Sequence, residues 1–266
     1  MIHKKNLVAL ITGPTSGIGK EISIILAKQG LDLILSSRNK ERLNQLKNFI
    51  TKNFNVKVHV FVTDLSKEDS AKKLVRQIKS KNLTVDVLIN NAGVGLMGKS
   101  ITLPLSSVVS MLMLNIVSLT YLANYFASEM VKKGYGWIMN VGSLVGFFPV
   151  PFFSSYSASK AYVLNYSLAL REELKNTKVK VSCLVPGYVR TNFDDAAGIT
   201  DKTYRFFSNF LGMSPESVAK IGIKNMWQGT PVIIPGFLNQ VFSFKIKIFK
   251  SLFTFFTGKI LRNVCK

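Results

Sequence analysis

Short, nearly unbroken apolar runs alternate with longer stretches of helical period along most of this chain. The runs cover residues 7–11, 31–36, 56–62, 85–90, 137–141, 179–185 and 232–234. Between them, segments 18–29, 40–53, 67–80, 106–133, 158–176 and 215–228 have the apolar spacing of helices. The runs do not alternate apolar with polar residues, which is expected of strands covered on both faces in a parallel sheet. Alternation of strands and helices predicts a doubly wound α/β fold, a parallel sheet flanked by helices. No repeat, low-complexity linker or boundary interrupts residues 1–236, so one domain is expected there. Residues 188–213 are richer in turn and aromatic residues and read as an insertion over the carboxyl edge of the sheet. Residues 237–266 fall outside the alternation and read as an apolar, basic, helical C-terminal tail.

Composition changes this picture mainly through charge. With 266 residues and 47% apolar content, the chain can bury one large core. It carries 35 Lys and Arg against 14 Asp and Glu, a formal net charge of +21. No acid follows Glu216, and residues 217–266 hold eight basic side chains. Such an excess suits nucleotide phosphates, anionic lipid or nucleic acid; for the body of the protein, a solvated basic surface is the favoured explanation. No nucleic-acid recognition motif accompanies the charge, and no nucleic acid is expected as a partner. Cys183, Cys265, His3 and His59 lack metal-ligand spacing, so neither a metal site nor a disulfide framework is expected. The first apolar run begins at Leu7, is short, and leads into a glycine turn, so a cytoplasmic chain is expected.

That turn is "TGPTSGIG", residues 12–19, between the first strand and the first helix. Glycines at 13, 17 and 19 allow a tight turn and close approach to a pyrophosphate, and the helix N-terminus adds amide donors. An NAD site places an acid near the end of the second strand to accept from the ribose 2′-hydroxyl. Here that stretch reads "SSRNKERL", with Ser36, Ser37 and Arg38. A guanidinium binds a 2′-phosphate where a carboxylate would repel it, which favours NADP(H). The alternative is that Arg38 only begins the next helix.

Further on, "SSYSASK" sets Tyr156 one helical turn before Lys160, with Ser143 thirteen positions upstream and Asn115 inside a long helical segment that suits asparagine poorly. Taken singly, these read as a packed tyrosine, a surface lysine and a turn serine. Together and in this order the motifs resemble the short-chain dehydrogenase/reductase family in its single-domain, Rossmann-like form. The resemblance runs from residue 12 to about 191, with the general pattern extending to about 236. It implies a catalytic tetrad of Asn115, Ser143, Tyr156 and Lys160. It implies cofactor contacts from Gly13, Thr15, Ser16, Gly17, Ile18, Gly19, Arg38, Asp64 of "TDL", Asn91, Ala92 and Gly93 of "NNAG", and Pro186, Gly187, Val189 and Thr191 of "PGYVRT", besides Tyr156 and Lys160. Reducing a ketone by hydride transfer leaves an alkoxide that needs a proton. A tyrosine can supply it when a nearby ammonium draws its pKa down from about 10. In this reading Ser143 holds the carbonyl oxygen, Lys160 also binds the ribose hydroxyls, and the helix around Asn115 kinks.

The substrate side is aromatic and uncharged. "LVGFFPVPFFSS" carries Phe147, Phe148, Phe152 and Phe153, and "YRFFSNFLGM" lies in the insertion. Such walls suit a steroid, a long acyl chain or another apolar carbonyl, unless the phenylalanines face the core. In the tail, Phe242, Ile246, Phe249, Phe253, Phe256 and Ile260 form one helical stripe, interspersed with Lys245, Lys247, Lys250, Lys259 and Arg262. The stripe suits a helix lying in a membrane interface, or one packed on the body or on a second subunit. The expectation is an NADP(H)-dependent oxidoreductase of apolar carbonyls or alcohols that self-associates as its family often does; the alternative is a catalytically silent NADP-binding regulatory or scaffold protein.

Overall fold

The computed structural model describes residues 7–191, 193, 212–248, 254–255, 257–259 and 261. Seven strands form one parallel sheet in the order β3-β2-β1-β4-β5-β6-β7. They are β1 Val8–Thr12, β2 Asp32–Ser37, β3 Val58–Val62, β4 Val87–Asn90, β5 Gly136–Val141, β6 Val179–Leu184 and β7 Val232–Ile233. The order reverses between β1 and β4, the switch point above whose carboxyl ends open α/β sheets place their ligand crevice.

Successive strand residues serve opposite faces. Ala9 and Ile11 pack with Leu33, Leu35, Val87 and Ile89 on one side, while Leu10, Ile34, Leu88 and Ile138 pack on the other. The first face is covered by α1 (Gly17–Lys28), α2 (Lys40–Asn53) and α7 (Pro215–Gln228), which contribute Leu26, Leu43, Ile50 and Met226. The second is covered by α3 (Ser70–Ser80) and α5 (Leu119–Lys133) through Leu74, Ile78, Leu122 and Phe126, and by the end of α6 (Ser154–Glu173) through Leu170. Each such side chain stabilises the fold by roughly 1.5–3 kcal/mol. Coverage on both faces is why the central strands show no alternation, whereas the edge strand β3 leaves Val62 exposed.

Where local signals are strong, the expected boundaries hold. Asn39 Oδ1 caps α2 by accepting from Arg42 N at 2.9 Å. Ser214 caps α7, Pro215 opens it, and Gly229 ends it at φ +74°. Of the boundaries that differ, three stand out. Asp69 adopts φ +53°, which delays α3 to Ser70. α6 begins at Ser154 and not at 158, because Ser157 and Ser159 bond back to the carbonyls of Ser154 and Tyr156 within the helix. The long segment 106–133 is three pieces: α4 (Leu105–Leu112), a π turn (Met113–Ser118) and α5. Its 29 residues meet the length and composition of a membrane span, but one face of α5 is committed to the core beside β4 and β5.

After β7, Gly236 at φ +88° turns the chain into α8 (Phe237–Ile248), which packs on a 3₁₀ turn at Leu144–Phe147. Thr254 Oγ1 donates to Pro149 O at 3.2 Å, and Leu261 is buried with Phe147, Phe148, Phe153 and Tyr156. Described parts of the tail therefore lie on the lip that follows Ser143. The side chains of Lys245, Ile246 and Lys247, and residues Phe249, Lys250, Phe253, Phe256, Ile260 and Arg262, are outside the described residues. So are Cys265, His3 and most of the aromatic stretch 204–213.

Candidate active site

The glycine turn is built around backbone that only glycine adopts easily. Gly13 and Gly17 have φ of +64° and +52°. A Cβ on Gly19 would stand 2.3 Å from Gly13 O and 2.4 Å from Asn91 Nδ2, so the first turn of α1 presses on the loop. That amide is the clamp: Asn91 Nδ2 donates to Thr12 O at 3.1 Å and to Gly13 O at 2.9 Å. Thr12 Oγ1 answers by accepting from the amides of Asn91 and Ala92 at 3.1 and 3.0 Å. The ends of β1 and β4 are thus tied together at the topological switch, with the α1 N-terminus, residues Thr15 to Gly19, at its mouth.

Arg38 projects from the end of β2, exposed to solvent. Asp64, just past β3, accepts from Ser66 N and Oγ at 3.1 and 2.7 Å. Burial pushes its carboxyl up, but the Ser66 bonds and the Arg38 and Lys67 charges outweigh this and hold it below the usual range. Nearby, Ser36 Oγ and Thr63 Oγ1 are buried without a hydrogen-bond partner at the carboxyl ends of β2 and β3. Orphaned hydroxyls are costly, and those at a ligand edge are ready to accept or donate.

The other half of the crevice gathers the remaining residues. Asn115 is buried in the π turn; its Nδ2 donates to Val94 O at 2.9 Å and Ser159 Oγ at 3.1 Å, and its Oδ1 accepts from Val94 N at 3.1 Å. π turns recur at functional sites. Lys160 is buried, and its Nζ donates to Val141 O at 2.8 Å while lying 5.9 Å from the Tyr156 ring centroid. Desolvation lowers its pKa from 10.5 to about 8 and outweighs an opposing effect of Cys183. A Cβ on Gly93 would lie 3.2 Å from Asn115 Oδ1 and 3.3 Å from Lys160 Nζ, which brings three distant motifs to one point. Ser143 follows β5, its Oγ accepting from Val145 N at 3.4 Å. Tyr156 sits in the first turn of α6, its ring 6.0 Å from Phe153 and 5.6 Å from Phe193.

The "PGYVRT" stretch closes the crevice. Pro186 O accepts from Leu144 N at 2.9 Å, and Val189 bridges Met213. Gly187 abuts Asn239 of α8, and the Thr191 methyl lies 3.0 Å from where a Gly17 Cβ would be. Phe147, Phe148 and Phe153 are buried in the cluster that holds Tyr156, while Phe152 is half-buried at φ +64°.

Sequence reasoning missed the supports. Asn90 Nδ2 donates to Asn140 Oδ1 at 2.9 Å, and Asn140 Nδ2 donates to Ser167 Oγ at 3.0 Å, a buried chain from β4 through β5 to α6. The signal was present: Asn140 interrupts the apolar run of β5, and Asn90 ends that of β4.

The turn, the tied strand ends and the orphaned hydroxyls fit an extended dinucleotide with its phosphates at α1. The sequence model described as short chain dehydrogenase matches residues 7–201. This chain belongs to that family. It is 30% identical over 234 residues to the very-long-chain 3-oxoacyl-CoA reductase of Bos taurus, covering 84% of this chain and 71% of that protein. Its match to the Mus musculus protein of the same name, 33% identical, covers 69% of this chain and 59% of that protein. A solved short-chain dehydrogenase from Sphingobium yanoikuyae in complex with NADPH aligns at a TM-score of 0.79 and 30% identity, covering 87% of this chain and 88% of that one. The chain is thus an oxidoreductase of a hydride-transferring family that binds a nicotinamide cofactor and acts on carbonyl or CH–OH groups.

Proposed function

We propose that this protein is an NADP(H)-dependent reductase of ketones or aldehydes, or in reverse a dehydrogenase of secondary alcohols, with an apolar substrate. The observation that carries the reading is the buried Lys160 ammonium 5.9 Å from the Tyr156 ring, one turn along α6. Bound NADPH would supply the hydride. Tyr156 donates its phenolic proton to the oxygen that becomes the alcohol. Lys160 favours the resulting phenolate and holds the ribose hydroxyls. Ser143 Oγ orients the carbonyl oxygen, and Asn115 fixes the π turn and the loop at Val94. Gly13, Thr15, Ser16, Gly17, Ile18 and Gly19 cradle the pyrophosphate. Asp64, Asn91, Ala92 and Gly93 border the adenosine half, and Pro186, Gly187, Val189 and Thr191 the nicotinamide.

NADP(H) is preferred over NAD(H) because Arg38, and no acid, follows β2. The NADPH-bound relative supports this. The apolar substrate is supported by the aromatic lip and by relatives named for very-long-chain 3-oxoacyl-CoA reduction. Exposed Val109, Val117 and Tyr121 of the α4–α5 segment, with Tyr162 and Leu168 of α6, offer a face for a second copy. The basic tail offers contact with anionic membrane, and residues 1–236 are read as the catalytic domain in the cytoplasm.

The test is a screen of lipophilic ketones and alcohols, following absorbance of the reduced nicotinamide with NADPH and NADH in parallel. Turnover of apolar carbonyls with NADPH preferred is expected. No turnover across the panel, or a preference for NADH, overturns the respective part of the reading.

A further inference from the structure

The four most exposed large apolar side chains among the described residues are Ile101 (94%), Phe237 (76%), Leu105 (75%) and Leu238 (75%). They come from two places far apart in sequence, and both stand at the carboxyl edge of the sheet. Ile101 and Leu105 belong to the loop after β4 and the first residue of α4; Phe237 and Leu238 open α8 after β7. Both places are fastened to the lip of the candidate site. Gly98 N donates to Phe152 O at 2.8 Å, which joins the loop to the lip. α8 packs on the 3₁₀ turn Leu144–Phe147, with Asn239 against Gly187. The rim around Tyr156 is therefore apolar and outward-facing on two sides.

Charge tells which partner fits such a rim. Residues 94–113, 143–158 and 217–266 hold no Asp or Glu, while Lys99 and Lys259 are exposed in two of these stretches. The acids of the insertion, Asp194, Asp195 and Asp201, lie outside the described residues. A second copy of this chain would bring the same cationic surface to the contact and repel it. A bilayer with anionic headgroups accepts apolar side chains below the headgroup plane and attracts lysines at it. We infer that the mouth of the candidate site docks on an anionic lipid bilayer through two separate elements, the loop at Ile101–Leu105 and the start of α8. This deepens the apolar-substrate reading: a substrate dissolved in the bilayer would meet Tyr156 from the lipid side without crossing water. The docking itself does not depend on the chemistry.

The experiment uses the full chain with vesicles of phosphatidylcholine alone or mixed with phosphatidylserine. Wild type is expected to sediment with the mixed vesicles at low salt and to be released at high salt. Ile101→Asp with Leu105→Asp, the tail left intact, is expected to lower partitioning on the order of tenfold or more. The same loss is expected for Phe237→Asp with Leu238→Asp. Circular dichroism and gel filtration show whether each variant remains folded and in the same oligomer. As a measurement on a milder variant, Leu105→Trp should be quenched by bromine-labelled acyl chains; the natural Trp137 and Trp227 lie at the start of β5 and the end of α7, at the opposite edge. Unchanged partitioning of the folded loop variant, or absence of quenching at residue 105, overturns the proposal. So does a loop variant that changes oligomeric state, since the rim would then be a subunit contact. Failure of the ketone screen with intact vesicle binding would sink the reductase reading and leave the docking standing; vesicle binding that fails while soluble ketones turn over would do the reverse.

Discussion

Asn115 grips the main chain of Val94 from both sides, accepting from its N–H at 3.1 Å and donating to its carbonyl at 2.9 Å. A side-chain amide thereby supplies to the loop after β4 what a neighbouring strand would otherwise supply. The π turn leaves Asn115 buried beside Gly93 and Lys160. Replacing Asn115 by Leu keeps the branched outline of the side chain, with more bulk, and removes both bonds to Val94 and the one to Ser159 Oγ. A loss on the order of 1–3 kcal/mol is expected, since Val94 is left with unsatisfied main-chain groups. Urea denaturation would measure it, and turnover should fall with it, because the same amide shapes the floor of the crevice. A variant of unchanged stability and turnover would show that the loop holds itself.

The first turn of α1 has no room for a methyl group. Gly19→Ala would place a Cβ 2.3 Å from Gly13 O, where the opposing atom is backbone and cannot swing aside. The turn must open, and nucleotide affinity is expected to fall at least about tenfold, corresponding to ~1.4 kcal/mol of displaced turn geometry. Fluorescence titration with NADPH would report it. Wild-type affinity in this variant would mean that the turn is not the phosphate cradle.

How much of this was legible in the sequence depends on the kind of interaction involved. The strands were legible because both faces of the sheet are covered, so each reads as an apolar run, and its short length distinguishes it from a buried helix. Helices α2 and α7 were legible to the residue because Asn39 and Ser214 cap them locally. The start of α6 was not, since the serines around Tyr156 look like turn residues until they are seen bonding within the helix. The break at Met113–Ser118 was hinted at by an asparagine in a helical run and by the kink that the family resemblance implies there, but not by the apolar pattern, which runs on through it. The chain from Asn90 through Asn140 to Ser167, and the return of the tail to Pro149, depend on contacts between segments far apart in sequence, which no local pattern encodes.

Cofactor choice should follow the charge after β2. Arg38→Asp replaces an attraction for a 2′-phosphate with a repulsion, and it does so next to Asp64, whose carboxyl the Arg38 charge helps to hold low. The ratio of kcat/KM for NADPH over NADH should drop on the order of 10²-fold, from a charged-contact loss of a few kcal/mol. A ratio that stays put would mean Arg38 does no more than precede α2.

Proton donation can be separated from binding. Tyr156→Phe removes one oxygen from a ring already packed between Phe153 and Phe193, so the fold should tolerate it. Turnover should fall roughly 10²–10⁴-fold, the usual contribution of a general acid, while NADPH affinity changes little. Single-turnover kinetics with saturating NADPH would test this, and near-normal rates would remove Tyr156 from the chemistry.

Lys160 should carry an opposite cost and benefit, and pH should expose both. Burial lowers its pKa from 10.5 to about 8, so between those values the unfolded chain holds a proton that the folded chain has released. Stability from this group is therefore fully present above about pH 10.5 and is lost as pH falls through about 8. At pH 7 the folded protein bears the charge at a cost, and Lys160→Met should raise stability by on the order of 1–3 kcal/mol. Cys183, the buried neighbour, works against this in the upper part of the window: burial pushes its thiol from 9.0 up to about 11, so the unfolded chain releases a proton there that the folded chain keeps, and the Lys160 effect is read most cleanly between about pH 8 and 9. Function runs the other way. The ammonium is the form that would hold the ribose hydroxyls and favour the Tyr156 phenolate, so kcat/KM for NADPH should decline as pH rises through about 8, and Lys160→Met should lose both affinity and turnover at every pH. A more stable, inactive variant together with a declining limb near pH 8 in wild type is the expected pair. A destabilised Lys160→Met at pH 7 would show that the bond to Val141 O outweighs the desolvation, and a flat profile to pH 10 would show that the ammonium is not the working form.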